Sequence, residues 1–580
     1  MSNVMSLKKL RNKVTRNGFD LSQKNVFSAK VGELLPICCK EVIPGDSFRI
    51  NTQHFTRTMP VNTAAYTRIR EYYDWFFVPY NLLWNRFPQF VTQMQNNAQV
   101  AASVTDNGIS NISQPSFTVN AISSYLKAQN LSLNQFRYYR ADLSCKLLSY
   151  LDYGTWRVDR TGGASESNQI LGPNNNVKLN PFPLLAYQKI YSDYFRNSQW
   201  EKSNPASFNV DYLASGGDIP VDKLISTSIQ KNIYNMFDLR YCNWNKDFFM
   251  GVLPSSQYGS VASINSASPL QSNLGIATVP NNNLTSGYSS AVPNPENLNN
   301  LVRTLGLKTI TDSSVSYLQL FSILQLRQVE AKQKWAEITQ SQQQDYKSQV
   351  EAHFNASPDN SLSQRCLYLG GDSGNIDITE VVNTNLDSQS AVADIAGKGV
   401  GAGQGYIDFK SDVHGVLMCI YHAVPLLDYA NSGINRFNLK TDVFDYAIPE
   451  FDKAGMVQIP IDELSTSYTV GTTKLKFLGY APRYYDYKTS YDKVHGAFVD
   501  GGLDSWVAPL NDKYITNYLN LVGALSVSSV EQSFFQVNPS VVNPIFAHDA
   551  DSFNSSDQLL VNCNFDIKAV RCLDYNGLPY

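Results

Sequence analysis

The sequence predicts a mainly β protein, and three observations carry that expectation. First, Leu559, Val561, Cys563, Phe565, Ile567 and Ala569 alternate with Leu560, Asn562, Asn564, Asp566 and Lys568. This period-two pattern suits a strand with one face in a core and the other in a polar environment. Second, Tyr72-Tyr73-Asp74-Trp75-Phe76-Phe77-Val78 concentrates the aromatic and β-branched side chains that pack well on a pleated surface. Third, a chain of 580 residues that is 43% hydrophobic, 12% aromatic and 17% charged can bury a large core. It is far from the charge-rich, apolar-poor composition of a disordered protein.

The elements follow in chain order. Residues 1–30 carry seven basic side chains (Lys8, Lys9, Arg11, Lys13, Arg16, Lys24, Lys30) and one acid, Asp20, a net of +6. The whole chain sums to −3, so the other 550 residues hold −9, and the near-neutral total hides an asymmetric molecule. Such a segment reads as an extended basic arm for a polyanion, or as a plain solvated terminus. It has no apolar stretch after its basic residues, so no export signal is expected, and no run of about 18 apolar residues predicts a membrane span. A strand over Leu35–Ile43 ends at the turn signal Pro44-Gly45-Asp46, and alternation restarts at Phe48-Arg49-Ile50-Asn51. Phe321, Leu324, Gln328, Ala331, Trp335 and Ile338 recur at spacings of three and four, which predicts a helix packed on a β scaffold. The tract Gln340-Ser341-Gln342-Gln343-Gln344 should end or interrupt that helix. Residues 157–180 and 251–302 are long Ser, Asn and Gly-rich excursions, the second with Glu296 as its single charge. Strands at both ends with long insertions between them suggest a closed or sandwiched β domain with overgrown loops.

A search for chemistry finds little. The eight cysteines are dispersed without a C-x-x-C pair and read as reduced, mostly buried thiols. His414 and His422 flank an apolar run, and with no third ligand nearby a structural role is expected. The run Gly397 to Gly405 fails as a phosphate loop, because Gly399 stands where Ser or Thr should follow Lys398; a flexible surface loop is expected. Asp549, Asp551, Asn554 and Asp557 fit at most a loose calcium site, lacking the EF-hand glycine. Acid pairs such as Glu450 and Asp452 define no catalytic arrangement, so no catalytic residue, metal site or cofactor is expected.

Several longer blocks carry a family resemblance. They are His54-Phe55-Thr56-Arg57-Thr58-Met59-Pro60-Val61-Asn62-Thr63-Ala64-Ala65-Tyr66 continuing to Trp84, Asn180-Pro181-Phe182-Pro183-Leu184-Leu185-Ala186-Tyr187 continuing to Trp200, and Leu239-Arg240-Tyr241-Cys242-Asn243-Trp244-Asn245-Lys246-Asp247-Phe248-Phe249. Arg327 to His353 follows, and then Phe565 to Arg571 with Gly577-Leu578-Pro579-Tyr580. Together the chain resembles the major capsid protein of microviruses, small icosahedral phages with circular single-stranded DNA, and most of all its gokushovirus-like branch. The resemblance implies an eight-stranded antiparallel jelly-roll barrel with long loop insertions and a few helices. It further implies self-assembly into a closed shell around the genome, residence in the virion, and assembly in the bacterial cytoplasm.

On that reading the chain is a basic arm, residues 1–30, followed by one jelly-roll domain, residues 31–580. A protrusion at the threefold axis maps by character and position to residues 251–315, with 157–180 as runner-up, and would touch a bacterial surface receptor. Lys8, Lys9, Arg11, Lys13 and Arg16 are the candidate DNA-binding residues; the competing expectation is that the arm bridges neighbouring subunits. A small basic DNA-binding virion protein and a pilot protein are implied further partners. The alternatives of another class are a carbohydrate-binding or adhesin-like β-sandwich and a hydrolase on a β scaffold.

Overall fold

The computed structural model describes most of residues 14–575. The stretches 93–111, 160–168, 221–235, 260–322, 383–394, 467–476, 511–529 and 547–556, with several breaks of one to three residues, lie outside the described set. The chain divides into two compact units, Met1–Ser256 with Gln343–Tyr580, and Gln257–Gln342.

The first unit is built on one large antiparallel sheet. Its strands are β1 (Asn17–Asp20), β2 (Gln23–Ala29), β3 (Leu35–Val42), β4 (Ser47–Thr58), β5 (Ile69–Pro79), β6 (Leu367–Val382), β7 (Ile395–Lys410), β8 (Gly415–Pro425) and β9 (Leu559–Arg571). Across the sheet the order is β1, β9, β4, β7, β6, β5, β8, β3, with β2 also pairing β9. β1 and β2 lie in line along the same edge of β9, and Leu21 N–H bridges the break by donating to Ile567 O at 2.9 Å. Taken as one interrupted strand they make the nine-stranded sheet eight strands wide. The sheet curls until its two ends meet: Asn25 Nδ2 of β2 donates to Ile37 O of β3 at 2.7 Å, and Lys40 Nζ donates to Gln23 Oε1 at 2.5 Å. The mainly β expectation holds, and the curled sheet is that of a jelly-roll-like barrel.

The physical reason lies in the alternation. Leu559, Val561, Cys563, Phe565, Ile567 and Ala569 of β9 are all buried, and Leu560, Asn562, Asn564 and Lys568 are exposed. β8 is buried along its whole length, since residues from the long insertions cover its second face. Both faces being dry explains its continuous apolar run Val416-Leu417-Met418-Cys419-Ile420. The insertions are residues 80–366 between β5 and β6 and 426–558 between β8 and β9. Helices α1 (Val119–Gln129), α2 (Arg140–Tyr150) and α3 (Phe182–Ile190) belong to the first of these. α3 is buried nearly all round, its two polar side chains, Gln188 and Lys189, finding partners within the fold and Tyr187 Oη donating to Leu34 O at 2.9 Å.

Three expectations need correction. Residues 17–29, assigned to the basic arm by their charge, are strands β1 and β2, held in place because β9 offers them a complete hydrogen-bonding edge. The glycine-rich run is no surface loop: it lies in β7, paired with β4 on one side and β6 on the other. The helical periodicity is realised in α4 (Ile323–Ser341), which ends in the polar tract as expected but belongs to the second unit. Among its described side chains the buried ones are Ala336 and Gln340, while Gln328, Ala331 and Trp335 of the expected packing stripe are exposed; Phe321 and the Leu324 side chain lie outside the described set. Tyr258 meets Trp335 edge-on at 6.3 Å.

Six of the eight cysteines are buried and all eight are free thiols, as composition suggested. Burial is the main cause that pushes the Cys38 thiol up to about 12, which leaves it an inert apolar filler at neutral pH.

Candidate functional site

Among the predicted DNA-binding residues, Lys8, Lys9, Arg11 and Lys13 lie outside the described residues. Arg16 is exposed just ahead of β1, where its guanidinium donates to Gly45 O in the turn between β3 and β4. That turn needs glycine, since Gly45 has φ +90°. Lys30, further along the charge run, sits over the Tyr138 ring at 4.3 Å. Arg16 and Lys30 therefore serve the fold.

The sheet supplies a second basic surface that sequence reading missed. The exposed face of β4 carries Arg49, Gln53, Phe55 and Arg57, adjacent β7 adds Tyr406 and Lys410, and β5, three strands along the sheet, adds Arg70 and the half-buried Tyr72. Cations rest beside rings here: Arg57 lies 5.2 Å from the Phe55 ring, Arg70 5.4 Å from Tyr72, and Arg49 5.9 Å from Tyr406. Paired cations and aromatic faces can hold phosphates and stack unpaired bases. Acids temper the surface, with Asp408 3.5 Å from Arg49 and Asp20 2.6 Å from Lys568. The signal was present at alternate residues of β4, but the partners are distributed over β5 and β7.

Beneath that face lies a buried polar cluster. His54 Nε2 is 3.3 Å from Glu71 Oε1, and His54 Nδ1 is 3.5 Å from Asp372 Oδ2. Glu71 Oε2 accepts from Thr56 Oγ1 at 2.6 Å, Tyr73 Oη at 3.2 Å and Tyr421 Oη at 3.4 Å. The His54 ring stacks on Tyr73 with centroids 4.0 Å apart. The glycines of β7 make this possible: a Cβ on Gly403 would fall 2.5 Å from His54 Cε1, and one on Gly401 2.8 Å from Glu71 Oε1. His54 and Glu71 have no side-chain exposure, so no substrate can reach them. The cluster joins β4, β5, β6 and β8 under β7 and fixes how they register.

A second buried ionic group ties the insertion to the sheet. Lys146 of α2 lies 2.6 Å from Glu33 Oε2 and 3.0 Å from Asp557 Oδ2. Burial disfavours the Lys146 charge, but the two carboxylates more than offset this and hold its pKa above the ordinary lysine value. Asp557 was one of the four oxygen residues considered for calcium. It is engaged instead by Lys146 and by Ser28 Oγ at 2.5 Å, while residues 549–554 lie outside the described set. No group of three or more metal-ligating side chains occurs among the described residues.

His414 and His422 do not form a site. His414 precedes β8 and meets the edge of Phe87, while His422 stacks on Tyr72 at 4.8 Å with Asp74 Oδ2 3.9 Å from its Nδ1. Burial lowers the His422 pKa to about 3 and raises that of Asp74 to about 6. The signs oppose. From pH 3 to 6.5 the unfolded chain binds the His422 proton and the folded chain does not, so this contribution grows as pH rises. From pH 3.8 to 6 the folded chain keeps the Asp74 proton that the unfolded chain has lost, so that contribution fades as pH rises. Removing the imidazole with His422→Gln should therefore cost about 2–3 kcal/mol more at pH 6 than at pH 4, relative to wild type. Urea midpoints at the two pH values check this, and equal pH slopes in both proteins would refute it.

A shallow cleft of about 370 Å³ is lined by Tyr66, Arg68, Asp428, Lys493 and His495 among others. It brings together no nucleophile, base and orienting acid of the kind covalent or acid–base catalysis uses. A curled β sheet whose polar clusters are sealed, with large aromatic side chains left on its surface, is the plan of a structural protein. The sequence matches the model of the capsid protein (F protein) family over residues 9–131 and 160–575, and the chain belongs to that family. It is 24% identical to capsid protein VP1 of Chlamydia phage 1 over 98% of this chain and 96% of that protein. It is 22% identical to capsid protein VP1 of Bdellovibrio phage phiMH2K over 90% of this chain and 88% of that protein. The resemblance to gokushovirus-like microviruses holds, and the chain is a structural virion protein that builds an oligomeric shell, not an enzyme. This also sets aside the adhesin-like and hydrolase alternatives. No described helix is long and apolar enough to cross a membrane.

Proposed function

We propose that identical copies of this chain close into an icosahedral shell around a circular single-stranded DNA genome, assembling in the bacterial cytoplasm. The observation that supports this most is the family match along almost the whole chain, which covers the sheet, the second insertion and all of the first but residues 132–159. Lys8, Lys9, Arg11 and Lys13 would meet DNA phosphates without sequence preference, and Arg16 would fix where that arm leaves the sheet. A small basic virion protein would share the DNA, and a pilot protein would accompany the particle. Residues 251–315, which overlap the second unit, would form the threefold protrusion and contact a receptor on the bacterial surface.

Two deletions test the proposal in particles examined by electron microscopy. Removing residues 1–13, which stops short of β1, should leave closed particles with reduced DNA content; normal packaging would overturn the DNA role. Removing residues 260–295 should leave closed particles that adsorb poorly to cells; undiminished adsorption would overturn the attachment role.

A further inference from the structure

The segment between β8 and β9 presents an apolar surface that the fold leaves unused. Phe437, Val443, Phe444, Tyr446, Phe451 and Tyr487 are 39% to 71% exposed. They lie on two stretches of chain, 437–451 and 487, that ion pairs join. Phe444 meets Phe451 edge-on at 5.7 Å, and Lys440 Nζ lies 5.8 Å from the Tyr446 ring and 3.9 Å from the Tyr487 ring. Lys440 and Lys488 bridge the two stretches of chain through ion pairs with Asp486 and Asp452.

The backbone beneath these rings is firmly held. Asn435 Oδ1 accepts from Phe437 N at 2.9 Å, and Asp442 Oδ1 accepts from Val443 N at 2.6 Å. Asp445 Oδ2 accepts from the backbone N–H groups of both Thr441 and Asp442 at 2.9 Å. Side-chain caps therefore fix two short helical turns, Arg436–Leu439 and Val443–Asp445, and Pro449 opens a third, Pro449–Phe451, in an arrangement that leaves aromatic rings exposed to solvent. Water gives no reason to build such a surface, because each exposed ring forgoes the free energy that burial supplies.

We infer that this patch is a contact surface for a second copy of the same chain within the shell, an inference that rests on the proposed shell. Area favours that occupant. At roughly 150–250 Å² per buried aromatic, the five partly exposed rings offer about 400–700 Å². One side of a standard interface covers about 800 Å², rather more than half of it apolar, so the patch matches one side of a subunit contact. Charge agrees with it. Exposed charges of both signs stand in the same stretches as the rings, Lys453 and Lys488 with Asp442, Glu450 and Asp452, while the Lys440–Asp486 pair is largely buried. A rim of both signs suits an uncharged copy-to-copy seam better than a polyanion, which would want cations alone.

Hydroxyl-radical footprinting with mass spectrometry tests this on purified particles and on subunits released from them. Oxidation of Phe437, Phe444, Tyr446 and Tyr487 should be about fivefold or more slower in particles than in released subunits, as expected for rings at the centre of an interface. Equal rates in the two forms would overturn the inference and leave the shell intact. Slow oxidation already in released subunits would overturn it by showing that the chain covers its own patch. Protection that vanishes when other virion proteins are stripped from intact shells would assign the patch to one of them. A preparation that yields only monomers would overturn the shell itself. As a second measurement, the paired substitution Phe437→Glu and Phe444→Glu touches only exposed side chains. It should leave the circular dichroism of the subunit unchanged and reduce particle yield about tenfold or more. Particles at wild-type yield would contradict the inference, and a variant that fails to fold leaves the footprint to decide.

Discussion

Replacing Lys146 with alanine lowers the stability of the unassembled subunit by about 3–5 kcal/mol, the cost of abandoning a buried charge partner. The argument is electrostatic. The Glu33 side chain is 1% exposed and that of Asp557 16%, so neither can be solvated when the ammonium leaves. Glu33 Oε2 keeps its bond from Lys30 N at 3.0 Å and Asp557 Oδ2 its bond from Ser28 Oγ, but no cation replaces Nζ between them. Lys146→Met should cost nearly as much, because the defect lies in the stranded carboxylates and not in lost methylenes. Adding Glu33→Gln and Asp557→Asn to Lys146→Met should recover most of the loss, since no charge then remains buried. Urea titration of the four proteins checks the series. A loss below about 1 kcal/mol in Lys146→Ala would show that the carboxylates reach water.

Gly403→Ala destabilises the same subunit by about 1–3 kcal/mol, although alanine ordinarily suits a strand better than glycine. The new methyl would lie 2.5 Å from His54 Cε1 and 3.0 Å from Asp372 Oδ2. The imidazole has no room to retreat, since it stacks on Tyr73 and lies against the Glu71 carboxylate. Ala402→Ser, one residue away on the opposite face of β7, should change stability by less than about 0.5 kcal/mol. Thermal melting of the two variants gives the contrast. Similar losses at both positions would mean that the glycines serve backbone conformation and not the space above the polar cluster.

These two sites also mark where sequence reading succeeds and fails. β9 was legible to the residue because its inward positions are apolar and its outward positions mostly polar. The first half of β4 was legible for the same reason, but Thr52, His54, Thr56 and Thr58 also point inward, where Thr56 Oγ1 donates to the buried Glu71 carboxylate, His54 lies beside it and Thr52 Oγ1 accepts from Trp75 Nε1. β7 escaped because Gly401, Gly403 and Gly405 occupy its inward positions, and glycine carries neither strand preference nor a hydrophobic signal. Lys146, Glu33 and Asp557 are separated by 113 and 411 residues along the chain. No local pattern links such positions; only the pairing of the sheet does. The basic arm was read from charge alone, and charge does not reveal that β9 has an edge waiting for residues 17–29. The capsid family was legible in long blocks, of which the one from Asn180 to Trp200 builds the buried helix α3.

The position of β9 has a consequence for how the protein comes off the ribosome. It lies between the β1–β2 edge and β4, yet among the described strands it is the last to be synthesised. Until residues 559–571 emerge, both neighbours present open hydrogen-bonding edges separated by a gap one strand wide. Nascent chains in that condition can pair wrongly with one another, and the long-range closure is intrinsically slow. A chain cut short before β9 lacks the strand that joins the β1–β2 edge to β4 and leaves the sheet incomplete.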